Sequence, residues 1–246
     1  FPQLVRVYRT DKKGVAHAKN LGVIKSLGKF VTFVDSDDYV DFRYLQIMLA
    51  ADVEMAADMI VSPIWFIHDG VKVLRRVVPK DCNYPSKKDF LSGIFYFLSG
   101  KFFKRKLFDE YGLLPPLVIS EDTSWVFPAI AKTRNIVYVR TACYYYEFSD
   151  NSISISFHSR ELVESAIKSS ELILSNTPSS FKSEAEKYVI FRLLNYYVPK
   201  FKGYESVFRE FLLNHSELCM RWCATNAELQ PNIVKRLIGL INANCR

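Results

Sequence analysis

The run Lys29-Phe30-Val31-Thr32-Phe33-Val34 passes without a break into Asp35-Ser36-Asp37-Asp38. A compact β-branched and aromatic run of this length predicts a buried strand. Ahead of it, Val15 to Leu27 reads as a short helix, with Gly28 expected as its C-cap. Behind it, a helix is expected from about Asp41 to Met55, with Asp41 as N-cap and apolar positions at 45, 48, 49 and 53. Helix, strand and helix in this order point to an α/β sheet. Acids at the carboxyl end of such a strand stand where open α/β sheets bind ligands.

The rest of the first half continues the alternation. Strands are expected at Leu4–Tyr8 and Met59–Ile67, the latter turning at His68-Asp69-Gly70 into Val71–Val78. Because the chain opens directly into a strand-like run, it is expected to begin partway through a domain. Ser86 to Leu98 reads as a helix opened by Ser86 and Asp89 at capping-box spacing. Ser99–Lys106 reads as a basic stretch, and Pro115-Pro116 breaks any helix there. Glu121–Lys132 reads as a helix despite Pro128, with short strands at Ile136–Val139 and Cys143–Phe148. Beyond His158, β signals vanish. Helices are expected at about 159–176, 182–200, 204–222 and 231–243, separated by Thr177-Pro178, Gly203 and Gln230-Pro231. The expected division is residues 1–157 as an α/β region and 158–246 as a helical one.

Composition narrows the classes. With 246 residues, 49% hydrophobic and 24% charged, the chain can bury a core without a metal or disulfide staple. No window of 18 uncharged apolar residues predicts a membrane span. The five cysteines, at 82, 143, 219, 223 and 245, form no CxxC and no zinc spacing with histidine, so reduced thiols in a cytoplasm are expected. His17, His68, His158 and His215 likewise lack metal-ligand spacing. The net charge of +7 favours anionic partners without choosing among nucleic acid, anionic lipid and sugar nucleotide. Lys101–Lys106, with interleaved Phe, comes with no nucleic-acid-binding motif, so no nucleic-acid partner is expected.

Two acidic features carry the chemistry. A turn at Ser36 would let Asp35 and Asp37 converge, and converging carboxylates repel unless a cation or proton is shared. A hard divalent ion is the natural occupant, and it would bridge phosphate oxygens. The plainer alternative is that these acids cap the following helix. An EF-hand loop is excluded, since Val40 stands where its glycine must be, and Tyr39 argues against the strand-DxD phosphatases. The second feature is Glu121-Asp122, preceded by Ser120. An acidic pair opening a helix is explained by the macrodipole and by Ser120 as N-cap. Alternatively, one of these acids is a general base for an attacking hydroxyl.

Taken together, Ala16-His17-Ala18-Lys19-Asn20-Leu21-Gly22 and Gly28-Lys29-Phe30-Val31-Thr32-Phe33-Val34-Asp35-Ser36-Asp37-Asp38-Tyr39 resemble family 2 of the inverting glycosyltransferases. Gly100-Lys101-Phe102-Phe103-Lys104-Arg105, Glu121-Asp122, and Tyr144-Tyr145-Tyr146 with Asn151-Ser152-Ile153-Ser154 resemble later segments of that family. The resemblance covers roughly residues 4–157. It implies a GT-A fold, a Rossmann-like α/β domain for nucleotide sugars. This domain would be partial at its N-terminus, since the family's opening strand, helix and strand have no counterpart here. An all-helical C-terminal region follows. Glu147 stands where the family commonly has an Arg.

Residue by residue, the resemblance implies that Asp37 and Asp35 hold a divalent metal, Mn2+ or Mg2+. Asp35, Lys19 and Lys101 would lie on the donor side, Glu121 would contact the acceptor, and Asp122 would be the catalytic base. The implied reaction moves a sugar from a nucleotide diphosphate sugar, a UDP-sugar by expectation, to a hydroxyl of a saccharide or lipid-linked acceptor, with inversion. Bacterial surface polysaccharide or glycolipid synthesis in the cytoplasm, peripheral to the inner face of the plasma membrane, is the implied setting, and a homo-oligomer is allowed. The alternative is a non-catalytic binding or assembly subunit that retains the fold. The amphipathic run Asn232–Arg246 is expected to dock on neighbouring helices or a second subunit, with a membrane surface as the other option.

Overall fold

The computed structural model describes residues 3–68, 70–75, 85–92, 96–147, 159–226, 228 and 230–242. The chain divides into two compact units, Phe1–Ser156 and Phe157–Arg246.

In the first unit, strands β1 (Phe30–Thr32), β3 (Met59–Val61), β6 (Lys101–Lys104) and β7 (Ile136–Tyr138) form one sheet in the order β1-β6-β3-β7. Strands β2 (Tyr39–Val40), β4 (Ile64–His68), β5 (Val71–Arg75) and β8 (Tyr144–Glu147) form a second, in the order β2-β8-β4-β5. β3 pairs with β7 and β4 with β8, both in parallel, while the remaining pairs are antiparallel. Five helices accompany these strands among the described residues: α1 (Val15–Lys25), α2 (Tyr44–Met55), α3 (Lys87–Ser92), α4 (Lys106–Tyr111) and α5 (Glu121–Lys132).

Met59–Ile67 reads as one strand in the sequence but is two, in different sheets. Pro63 has no N–H to give a ladder, so the chain leaves the first sheet there. Ser62 crosses the gap: its N–H donates to the Gly100 carbonyl at 2.9 Å and its hydroxyl to the same oxygen at 3.0 Å. Gly100 has φ 70°, and a Cβ there would stand 2.9 Å from Ile64 Cγ1. Ser99–Lys106, expected only as a basic stretch, contains β6 instead. Phe102 and Phe103 are buried, and Phe103 packs edge-on against Trp125 of α5. Lys104 reaches the rim, where it and Lys106 flank Asp58 at 3.4 and 3.1 Å. Burial raises and the two ammonium groups lower the Asp58 carboxyl, which lies below its ordinary value on balance.

Other boundaries also move. Leu4–Tyr8 forms no strand, and Leu4, Val5 and Val7 are exposed. The β-propensity of this run finds no partner strand in the described residues. Helix α1 is capped at Ser26, not Gly28, because the Ser26 N–H already closes the last turn onto Gly22. Helix α2 starts at Tyr44, since Asp41 instead accepts the Arg43 N–H in the preceding turn. Its buried stripe is Tyr44 and Met48, with Ile47 and Ala51 packed alongside, while Leu45 and Leu49 are exposed. Helix α3 is short, and its N-terminus is the expected capping box: the Ser86 N–H donates to Asp89 at 2.7 Å and the Asp89 N–H to the Ser86 hydroxyl at 3.3 Å. The hairpin turn is as expected, with His68 paired to Val71 around Gly70; Asp69 lies outside the described residues, as do Asn151–Ser154.

The second unit is helical: α6 (Arg160–Asn176), α7 (Lys182–Arg192), α8 (Glu205–Asn214), α9 (Ser216–Asn226) and α10 (Pro231–Asn242). Ser159 caps α6 by accepting from the Leu162 N–H. α7 runs on through a π turn, Leu193–Tyr197, into Val198–Lys200. Pro199 lacks the N–H that would bond to Asn195, so the wider turn has a local cause. The expected helix 204–222 is broken at His215, whose ring nitrogen lies 2.8 Å from the Phe211 carbonyl. Helix α10 docks within its unit, burying Leu237 fully, and Arg236 bonds to the Leu194 carbonyl and to Asn195. No helix among the described residues is long and apolar enough to cross a membrane.

Replacing Gly100 by Ala should destabilise the protein by about 1–3 kcal/mol from the positive φ alone, and by more from the clash with Ile64. Urea unfolding of Gly100→Ala beside the wild type checks this.

Candidate functional site

The acidic turn is braced from behind. The Asp38 N–H donates to the Asp35 carbonyl at 3.0 Å, closing the turn. The Tyr144 hydroxyl donates to Asp38 Oδ2 at 2.5 Å and accepts from the Asp35 N–H at 3.2 Å. The Glu147 N–H donates to Asp38 Oδ1 at 3.0 Å. Both oxygens of Asp38 are therefore engaged by the protein. Its carboxyl is pushed up to about 6, chiefly by burial, against the two hydrogen bonds that favour its ionised form and with help from Asp35 and Asp37. Burial and the bond to Asp38 push the Tyr144 hydroxyl well up, so it remains a donor. Because α2 begins only at Tyr44, Asp35, Asp37 and Asp38 do not cap it.

Helix α1 supplies the cation. The Lys19 ammonium lies 3.6 Å from Asp35 Oδ1 and 3.4 Å from Glu121 Oε1. Its side chain is 15% exposed, that of Glu121 8% and that of Asp35 36%. Burial lowers the Lys19 pKa, but Asp35, Glu121 and Asp122 raise it further, so the net shift is upward. The next residue, Asn20, is fixed in both directions: its amide donates to the Leu114 carbonyl at 2.8 Å and accepts the Leu114 N–H at 2.9 Å. This clasp fastens α1 to the loop leading into α5.

Helix α5 opens with the acidic pair. Ser120 occupies the N-cap position in the left-handed region, φ 62°, and makes no side-chain capping bond. The expected serine cap is thus absent, and the positive φ re-aims the chain just ahead of Glu121. Glu121 is buried and its carboxyl is pushed up, first by burial and then by Asp122, with Lys19 opposing. Asp122 is half-buried and accepts the Thr123 N–H at 2.6 Å. Its charge reaches Lys19, Lys101 and the Tyr146 hydroxyl. Asp35, Asp37 and Asp38 also act on Tyr146, so both acidic motifs face the β8 side of the unit.

The structure therefore gathers Lys19, Asp35, Glu121 and Asp122, and leaves Asp37 exposed on the same turn. Lys101, expected as a donor contact, is instead fully buried in β6. Its ammonium donates to the Phe97 carbonyl at 2.6 Å and lies 3.4 Å from that of Ser99, so it acts on the site only through its charge. The brace of Tyr144, Asp38 and the Glu147 N–H was not foreseen. The strand alternation that turns Tyr144 inward was the one available signal. Among the described residues no group of three or more His, Cys, Asp or Glu forms a metal cluster. Cys143, Cys219 and Cys223 are free thiols. A groove of about 390 Å³ lies in the helical unit. Two of its cations are already engaged: Lys182 with the Leu174 carbonyl at the end of α6, and Arg221 with Glu186.

Comparison with known proteins bears on the fold. Residues 1–112 match the family model "Glycosyl transferase family 2". That match lies within the first unit and covers 112 of the 246 residues. A relative described as "Putative glycosyltransferase EpsH", from Bacillus subtilis (strain 168), is 23% identical over 224 residues, covering 87% of this chain and 60% of its own length. The crystal structure of S. aureus TarS 1–349 in complex with UDP-GlcNAc superposes with a TM-score of 0.67 at 15% identity, over 95% of this chain and 71% of that one. The same protein in complex with UDP gives 0.56 at 18% identity, over 78% and 54%. The fold is accordingly GT-A, mixed α/β with a helical C-terminal region. The chain spans 60% of the length of the EpsH relative.

Burial pushes Lys101 down to about 7, with Asp122 opposing. An unfolded lysine keeps its proton to above pH 10. Between about pH 7 and 10 the unfolded chain holds a proton that the folded one has lost, so this group adds stability as pH rises and withdraws it as pH falls to 7. Relative to Lys101→Met, the wild type should gain stability from pH 7 to pH 10, as read by urea unfolding across that range.

Proposed function

We propose that this protein is a metal-dependent inverting glycosyltransferase. It takes a sugar from a nucleotide diphosphate sugar, with uridine diphosphate as the carrier, and places it on a hydroxyl of a saccharide or lipid-linked acceptor. The observation that carries this reading is the Lys19 ammonium standing between Asp35 and Glu121, which joins the acidic turn and the acidic helix start at one point. The TarS structures in complex with UDP and with UDP-GlcNAc support the choice of donor class.

Asp35, half-buried, and Asp37, exposed, are hard oxygen donors, and they suit a hard divalent cation, Mn2+ or Mg2+. Two carboxylates are too few to cage such an ion alone. Mg2+ is commonly held by one or two carboxylates together with substrate phosphates, and this donor set fits that pattern. Bound there, the ion would neutralise charge on the departing diphosphate.

The chain's own residues do the rest. Asp122 accepts the proton of the acceptor hydroxyl as its oxygen attacks the anomeric carbon. The bond from that carbon to the diphosphate oxygen breaks on the opposite face, and the configuration inverts. Glu121, buried beside it, shapes the acceptor side, and Lys101, whose burial weakens its hold on a proton, stands on the donor side. Lys19 meets the diphosphate. In this reading the protein works in the cytoplasm, at the inner face of the plasma membrane, in surface polysaccharide or glycolipid synthesis.

Calorimetric titration of uridine diphosphate, with and without Mn2+, tests the donor site. Wild-type binding should need Mn2+, and Asp37→Ala should abolish it. Asp122→Asn should keep that binding and lose about 100- to 10,000-fold in transfer rate, the usual worth of a general base. Silence toward every nucleotide would instead place the chain among proteins that keep the fold as a binding or assembly subunit.

A further inference from the structure

The position of Lys19 raises a question that donor binding alone does not answer. Its ammonium already fills the space between Asp35 and Glu121, at 3.6 and 3.4 Å. A divalent cation on Asp35 would have to sit within a few ångströms of this fixed positive charge, in a part-buried setting where screening by water is weak. We propose that Lys19 is the site's own counter-cation before a donor binds, so that a divalent metal enters only together with an anionic diphosphate that draws the ammonium away from Asp35. The proposal rests on the reading above that Asp35 and Asp37 take the metal.

Three observations make the arrangement a lock and not a chance surface pair. The first is burial: Glu121 and Lys19 are 8% and 15% exposed at their side chains, so their pairing is shielded, while Asp35 at 36% is the partner open to exchange. The second is charge balance. Asp35, Glu121 and Asp122 all act on the one ammonium, and without it their mutual repulsion would be relieved by any cation in solution. The third is mechanical. The Asn20 clasp to Leu114 anchors the backbone beside Lys19, and Tyr144 and Glu147 anchor the turn beside Asp35. The backbones on both sides being held, the exchange falls to the flexible lysine side chain.

A diphosphate is a strong competitor for that side chain. An ammonium is a point charge that binds phosphate oxygens readily. Once Lys19 turns to the diphosphate, the Asp35 carboxylate is released to the metal, and metal and diphosphate then attract each other as well. Metal and nucleotide binding are thereby coupled, and the coupling is reciprocal. The device keeps free metal off an exposed acidic turn until a donor is present.

The test uses Mn2+ alone, followed by paramagnetic resonance of the unbound ion, on wild type, Lys19→Met and Lys19→Arg, each with and without uridine diphosphate. In wild type, uridine diphosphate should tighten Mn2+ binding at least tenfold. In Lys19→Met, Mn2+ alone should bind at least tenfold tighter than to wild type, and the nucleotide should add little. Lys19→Arg keeps the charge and should keep the weak binding of Mn2+ alone. If Lys19→Met does not fold, Lys19→Gln makes the same comparison. An unchanged or weaker affinity for Mn2+ alone in the neutral variant overturns the proposal, even where the Mn2+–nucleotide complex still binds. If Mn2+ binds to neither wild type nor variant with uridine diphosphate present, the metal-dependent reading falls with it.

Discussion

The hydroxyl of Tyr144 is where the core and the candidate site meet. The residue belongs to β8, is fully buried, and packs with Tyr44, Met48 and Phe102. Its oxygen leaves that apolar setting to bond Asp38 and the Asp35 N–H. A four-residue turn of three acids would otherwise repel itself open. Here Asp38 takes the role of an anchor, and Asp35 and Asp37 are left to face outward. The position of the acidic turn is in this way inherited from the packing of β8 between β2 and β4. The arrangement holds as long as the phenol keeps its proton, and its burial favours that.

Charge is placed by the same logic through the unit. Asp58 is neutralised at the rim by Lys104 and Lys106. Lys101, the first residue of β6, has no such rim and donates hydrogen bonds to the carbonyls of Phe97 and Ser99. Lys19 is matched to carboxylates from two distant segments. A buried ion is tolerated only when paired or hydrogen-bonded. The three solutions differ because the lysines meet different neighbours: an aspartate, a turn of bare carbonyls, and a pair of acidic motifs.

Much of this was legible from the chain. Asp35–Asp38 follow a strand, Glu121-Asp122 open α5, and the helices of the second unit lie close to their expected places, because each rests on local periodicity or a local cap. What was misread has a common cause. Ser99–Lys106 reads as a basic stretch because its cations mask two buried phenylalanines. Met59–Ile67 was taken for one strand because the change of sheet at Pro63 depends on Gly100, far away in sequence. Leu45 and Leu49 were expected in the core, but the face α2 buries is chosen by what lies beneath it, Tyr144 and Phe102, through Tyr44 and Met48. Lys101 as a donor contact failed for the same reason, since burial is not a property of the residue alone.

The sequence by itself determined the class of fold and where its two acidic motifs stand, because strand and helix periods and the spacing within each motif are short-range properties. The tertiary structure alone decided how those acids divide their work. Asp38 is an anchor because Tyr144 and Glu147 close on it, and Lys19 belongs with both Asp35 and Glu121 because α1 is clasped to Leu114. Those contacts join residues about a hundred positions apart. Only the folded chain brings such groups within hydrogen-bonding distance, and no local pattern encodes which of three neighbouring carboxylates will be the one engaged.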